Sequence, residues 1–294
     1  MAQQQEGGIL MKDTAISTPK KRKKIRIWIP ILCVIIFFLF VWPFYELINM
    51  SLRDITDYTS RLTLPEIMHW ENYLEVIKQS DIWIGFKNSV IYTGATIFLE
   101  ITIASMAGYS LSRGSKKTTR TVRAVQMLII MVPGIITLVG TYSLMVTLGL
   151  TNSLIALAFL TAAGGIPSCS FIYMNFINSI PTQLDEAARI DGAGIFKTFF
   201  KIILPQLTPL TVTRAIMIGI GAWNNYLLPL YLLNDSRKRT VILVIRSAFS
   251  INGGDRNIAM ACATCTIGIL PVIVVYLLLQ KKIIASQIGS AVKG

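Results

Sequence analysis

"DEAARIDGAGIFKTFFKIILP", Asp185 to Pro205, is a mixed polar and amphipathic insert in a chain that otherwise reads as membrane. Two acids open it, Asp191-Gly192 breaks it, and a Phe-rich run closes it. Pro181, just upstream, suits a first helical position, where its missing N–H has no partner to lose. Asp185 and Glu186 suit the N-terminal half of a helix, whose dipole favours negative charge. Leu184, Ala187 and Ala188 form a narrow apolar face. Beyond the break, the spacing places Ile195, Phe196, Phe199, Phe200 and Ile203 on one face of a second helix, with Lys197, Thr198 and Lys201 on the other. Pro205 and Pro209 lead back into apolar sequence. The expected geometry is helix, tight turn, helix, held at the membrane surface by the Phe face. The first helix then presents small residues and acids to a partner. A membrane anchor would more often be a continuous Lys-rich helix; a plain surface loop is the competing reading.

The surrounding chain sets that context. Of its 294 residues 53% are hydrophobic and 15% charged, too apolar for an ordinary soluble domain. Apolar runs long enough to cross a bilayer predict an all-α polytopic membrane protein with six spans. These are roughly Trp28–Met50, Ile82–Leu111, Val122–Leu148, Ser153–Ile180, Gln206–Leu232 and Ile258–Ile284. The net charge of +13 would suggest nucleic acid in a soluble protein, but here it reads as basic loops that fix topology, with no nucleic-acid partner. With the N-terminus inside, the inner segments hold 18 Lys and Arg and the outer segments eight. That bias predicts a multi-pass protein with both termini in the cytoplasm, and it makes 185–205 a cytoplasmic connection between spans four and five. The expected organisation is a disordered cytoplasmic tail at 1–27, a transmembrane domain at 28–284 and a cytoplasmic tail at 285–294. A cleaved signal is disfavoured by Pro43 and Glu46 in the first apolar run and by the lack of a small-residue cleavage site after it. The outer loop 51–81 has room for a short helix or two, and Asn252-Gly253-Gly254 marks a turn in the second outer loop.

Enzyme chemistry finds no footing. Cys262 and Cys265 form a C-x-x-C flanked by Ala and Thr inside an apolar run, which reads as small-residue packing rather than a redox or metal pair. The single His69 has no companions at ligand spacing and reads as a loop residue. There is no H-E-x-x-H, no plausible Ser/His pairing and no G-x-x-x-x-G-K-[ST] phosphate loop. The chain is therefore read as a non-enzyme that binds no metal or cofactor.

Two ionisable residues lie deep in apolar segments. Arg214 lies nine residues past Pro205, about 13 Å along a helix. Glu100 lies twelve before Ser112, about 18 Å in. Such groups are costly in a membrane and face a partner group or a polar cavity. The expectation is that they approach one another or that one faces a solute path; snorkelling, or contact with a partner subunit, is the bland alternative. Trp223-Asn224-Asn225-Tyr226 offers amides and aromatic faces of the kind that hold sugars, with helix packing and interfacial anchoring as the alternative.

Glu186-Ala187-Ala188, Asp191-Gly192-Ala193 and Ile203-Leu204-Pro205 resemble the E-A-A loop of membrane subunits of binding-protein-dependent ABC importers. Asn88–Arg113, Met131–Gly134, Trp223–Leu230 and the ending Gly289–Gly294 look like the carbohydrate-uptake branch, the maltose-type second permease subunits. The resemblance covers about residues 70–294. It implies that the loop is a coupling helix seated on a cytoplasmic ATPase, with Glu186, Ala187, Ala188, Asp191 and Gly192 at the contact. Lys293 would be the ATPase contact of the tail, although a frayed end is the plainer reading of that tail. The implied partners are a second homologous permease subunit, two ATPase subunits that use ATP and Mg, an extracytoplasmic sugar-binding protein and membrane lipid. The implied setting is a bacterial cytoplasmic (inner) membrane. The implied activity is ATP-driven import of a sugar or oligosaccharide, with Glu100, Arg214 and 223–226 as solute-path candidates. Arg214 departs from an apolar family pattern. It points either to a charged solute such as a uronate or only to a structural pairing; the alternative activity is the same class of importer for another solute such as a uronate, polyol or sugar phosphate.

Overall fold

The computed structural model describes residues 28–57, 61–250 and 257–291. The tail at 1–27 and Lys293 lie outside the described residues. Described elements are all helical: α1 Trp28–Ser51, α2 Glu71–Lys78, α3 Ser80–Arg113, α4 Lys116–Met131, α5 Leu138–Thr147, α6 Leu154–Asn178 and α7 Gln183–Ile190. A broken segment follows, with α8 Ile195–Thr198, a π-helical turn Phe199–Ile203 and α9 Leu204–Gln206. Then come α10 Thr208–Trp223, α11 Leu227–Leu232, a 3-10 turn Ser236–Lys238, α12 Val241–Phe249 and α13 Ile258–Ala291. The chain divides into two units, Met1–Phe44 and Tyr45–Gly294. In the first, the described residues are apolar helix, exposed at every position.

In the second unit α3 is the spine, about 50 Å long at the α-helical rise. Three apolar clusters lie along it. Ile82 packs with Val76, Val241, Val244 and Ala263 at one end. Tyr92 packs with Leu154, Leu157, Ala222 and Leu243 further along. Ala104 and Tyr109 pack with Cys169, Tyr173, Ile177, Phe199 and Ile203 at the other end. α3 and α6 approach closely because small residues line the contact. A Cβ on Gly108 would lie 2.7 Å from the Cβ of Tyr173 and 2.9 Å from the Met174 nitrogen. In a bilayer, where lipid is as apolar as Leu, such close backbone approach supplies the helix-pairing energy.

Among the described residues four helices are long and apolar enough to cross a membrane: α1, α3 from Asp81, α6, and α13 over Ile258–Leu278. The expected third span, 122–148, is two helices, because Pro133 and Gly134 interrupt it between α4 and α5. The expected fifth span is also broken. Ile195–Gln206 and Thr208–Trp223 meet at 78°, and α10 stops at Trp223 before α11 begins. Pro205 cannot donate to the preceding turn, and the π-helical turn just before it absorbs the mismatch.

The polar connections are tied down by side chains. Arg53 is fully buried, bonding the Asn49 side chain, the Thr63 carbonyl and Asp57. His69 sits in this loop, its backbone N–H donating to Leu52 and its ring paired with Glu71, and α2 is the short helix expected there. Asn88 on α3 donates to the carbonyls of Arg237 and Arg239, and the Ser89 hydroxyl accepts from the N–H of Val241 at the start of α12.

Candidate coupling helix and intramembrane polar seam

α7 opens with the backbone N–H groups of Asp185 and Glu186 donating to the carbonyl of its N-cap residue, Thr182. Pro181 therefore precedes the helix by two residues rather than sitting inside it. The far end closes on Gly192, at φ 72°. The Ala193 N–H bonds the Ala188 carbonyl at 2.8 Å, and the Gly192 N–H bonds Arg189 at 3.0 Å. This paired arrangement needs a left-handed residue at the position after the cap, which glycine adopts without steric cost.

The two acids of α7 point in different directions. Asp185 is buried, accepting from the Tyr109 hydroxyl at 2.6 Å and from Arg113 Nε at 3.0 Å. Arg113 also donates to the carbonyl of Ile180, and Ser112 donates to Asn178, so the ends of α3, α6 and α7 form one knot. Charge-assisted bonds of this kind are the strong ones. Glu186, Ala187, Ile190 and Asp191 are exposed, whereas Ala188 is buried against the chain itself.

The Phe face expected on one side is divided. Phe199 and Ile203 are buried, Phe199 stacking on Tyr109 with centroids 5.4 Å apart. Ile195, Phe196 and Phe200 are exposed. The π-helical turn resets the helical phase between residues 198 and 204, so an uninterrupted helical wheel assigns the faces wrongly.

Deep in the bundle Glu100 of α3 meets Arg214 of α10, Oε1 to Nη2 at 3.6 Å, with both side chains largely buried. Gly165 of α6 makes the space: a Cβ there would fall inside contact distance of the Glu100 carboxylate. A polar seam continues on either side. Towards α7, the Tyr173 hydroxyl donates to Thr211, and Gln126 of α4 donates to Ser170. Towards the break after α10, Asn225 donates to the Tyr92 hydroxyl, which pairs with Thr161. Trp223 packs near Phe86, Asn224 bonds back to the Ile220 carbonyl, and Arg246 lies over the Tyr226 ring at 5.9 Å. Among the described residues no cluster of His, Cys, Asp and Glu suits a metal ion, and Cys262 and Cys265 are free thiols.

Residues 100–286 match the family described as binding-protein-dependent transport system inner membrane component. The chain belongs to that family. It is 34% identical over 253 residues to the melibiose/raffinose/stachyose import permease protein MelC of Bacillus subtilis, covering 86% of this chain and 91% of that protein. It is 33% identical over 269 residues to a probable starch degradation products transport system permease protein, AmyC, of Thermoanaerobacterium thermosulfurigenes, covering 88% and 94%. Among solved structures, a chain of a bacterial ABC transporter involved in import of the acidic polysaccharide alginate superposes with a TM-score of 0.71 at 21% identity. The match covers 90% of this chain and 99% of that one. At that identity the likeness concerns the fold.

The family is that of a transport permease component rather than of a catalytic enzyme. Within that frame the sequence-expected residues fall into three groups. Glu186, Ala187 and Asp191 share an exposed surface beside Gly192. Glu100 and Arg214 meet. Residues 223–226 are scattered, with Asn225 joined to the seam, Trp223 in the apolar packing, and Asn224 and Tyr226 held locally. Sequence reasoning missed Tyr109, Arg113, Gly165 and Tyr92. Arg113 and Asp185 are separated by 72 residues, and nothing local marks either as the other's partner.

Proposed function

We propose that this chain is the membrane-spanning subunit of an ATP-driven importer of a sugar or oligosaccharide, coupled to an ATPase through α7 and the Gly192 turn. The observation that carries the reading is the division of α7. Asp185 is locked to α3 beneath it, while Glu186, Ala187, Ile190 and Asp191 stand free above. A knob built this way transmits force: a push on its exposed face reaches α3 through Tyr109 and Arg113. Ligands at either end shift the transporter only by binding its two states differently. ATP and Mg act on the partner ATPase subunits, not on this chain.

This reading takes the membrane domain as six crossings, with α4–α5 forming the third and the broken α10–α11 segment the fifth. The Lys and Arg distribution favours α7 and both termini on the cytoplasmic side of a bacterial cytoplasmic membrane. The partners are a second permease subunit, two ATPase subunits and an extracytoplasmic sugar-binding protein, one structural neighbour having been solved with a periplasmic protein carrying an alginate pentasaccharide. The relatives' names favour a di- to oligosaccharide. Pairing with Glu100 accounts for Arg214 without a charged solute. The tail beyond 285, with Lys293, is assigned to the ATPase side on resemblance alone.

Co-purification from the native membrane tests this, wild type beside Gly192→Trp. Wild type should retain an ATPase, a second permease and a sugar-binding protein, and the variant should lose the ATPase alone. Wild-type protein that purifies with no ATPase overturns the coupling role.

A further inference from the structure

At the α7 end of the bundle, α3, α4 and α6 border an open recess of about 300 Å³. Lys116, Arg120 and Arg123 line it, together with Ser112, Thr119 and Asn178, over an apolar floor of Leu111 and Met174. The three cations recur at four- and three-residue spacing on the first turns of α4, so they share one face. Arg123 is steadied over the Phe171 ring at 5.4 Å. Residues 111–123 contain no Asp or Glu, and among the described residues no carboxylate pairs with any of the three cations. The Ser115 hydroxyl accepts from Thr118, and the helix it caps directs its positive end to the same place.

Uncompensated like charges held together around a cavity favour an anion, and the apolar floor distinguishes this cavity from a site for a fully hydrated one. A basic recess between spans at the membrane boundary fits an anionic lipid, whose phosphate meets the cations while its glycerol and upper chain lie on the floor. We propose that this cavity holds the phosphodiester headgroup of an anionic phospholipid of phosphatidylglycerol type. The proposal rests on the reading above only in placing this end of the bundle at the cytoplasmic lipid–water boundary. Ser112 and Asn178 belong both to the cavity and to the knot that anchors Asp185, so an occupied cavity braces the base of α7.

The test uses the full transporter purified from native membrane and reconstituted in nanodiscs of phosphatidylcholine doped with phosphatidylglycerol. Native mass spectrometry counts the phosphatidylglycerol retained after release. The variant Lys116→Gln/Arg120→Gln/Arg123→Gln is compared with Lys78→Gln/Arg237→Gln/Lys238→Gln, which removes the same charge at the other end. Wild type and the control should retain phosphatidylglycerol. The cavity variant should bind it more weakly by roughly fivefold per cation removed. Single Arg120→Gln should show one such step if the triple variant is poorly made. Equal retention in all three overturns the proposal. Displacement by excess inorganic phosphate overturns the lipid assignment in favour of a free anion. Loss of the ATPase from the cavity variant, with lipid retention unchanged, assigns the rim to a protein contact instead. Should wild type carry no ATPase at all, the importer reading fails while the lipid count still decides this one.

Discussion

Gly165 and Glu100 are matched at the scale of single atoms, since a methyl group on Gly165 would sit inside contact distance of the carboxylate. Gly165→Ala is therefore expected to force Glu100 off Arg214 and to cut transport sharply while leaving the amount of protein in the membrane near wild type, as measured by uptake normalised to a blot. Removing one member of a buried pair leaves the other charge uncompensated, at about 3–5 kcal/mol. Glu100→Arg and Arg214→Glu should each abolish uptake, and the double reversal should restore part of it. Absence of any rescue would mean that the two residues act separately. Asp185→Asn keeps the shape of the anchor and removes its charge. Charge-assisted bonds of this type contribute about 1.5–3 kcal/mol. The expected result is an assembled transporter that hydrolyses more ATP per sugar moved, read as the ratio of the two rates in proteoliposomes. An unchanged ratio would reduce Asp185 to a packing residue.

Among the elements, α7 was the most legible from sequence. Its acids, its Asp-Gly stop and its length are local signals, and the structure places a helix over Gln183–Ile190 with Gly192 in the left-handed region. The following segment was less legible. Its spacing reads as one amphipathic helix, but the π-helical turn changes the phase, so Phe199 and Ile203 turn inward while Phe196 and Phe200 stay outside. Phe199→Ala, which strips a buried ring from Tyr109, should destabilise the protein by about 3–5 kcal/mol. Phe196→Ala should change thermal stability in detergent little. Equal shifts would contradict the division of the two faces. Asn88, by contrast, carries no mark in the sequence. Its two bonds to backbone carbonyls exist only because α3 and the 236–239 turn meet. The expected fifth span shows the same limit, since hydropathy reports that 206–232 is apolar but not that it bends before Thr208 and breaks after Trp223.

For the molecule as a whole, the predicted property is topology. With the four native cysteines replaced by Ser, Lys238→Cys should react with a membrane-impermeant maleimide in intact cells, and Lys201→Cys only after lysis. The opposite pattern would invert the assignment of α7 to the cytoplasm. Composition determined by itself that the described residues build helices, several of them apolar, because runs of apolar residues carry their own transfer energy wherever they end up. The loop motif determined the family, because a capped turn is written in consecutive residues. Only the tertiary structure decided that Glu100 and Arg214 meet, that Asp185 faces inward while Glu186 faces out, and that Gly165 makes room for the Glu100 carboxylate. Those facts depend on which helices are neighbours and how each is rotated, and that follows from close backbone contacts such as Gly108 against Tyr173, which no single segment contains.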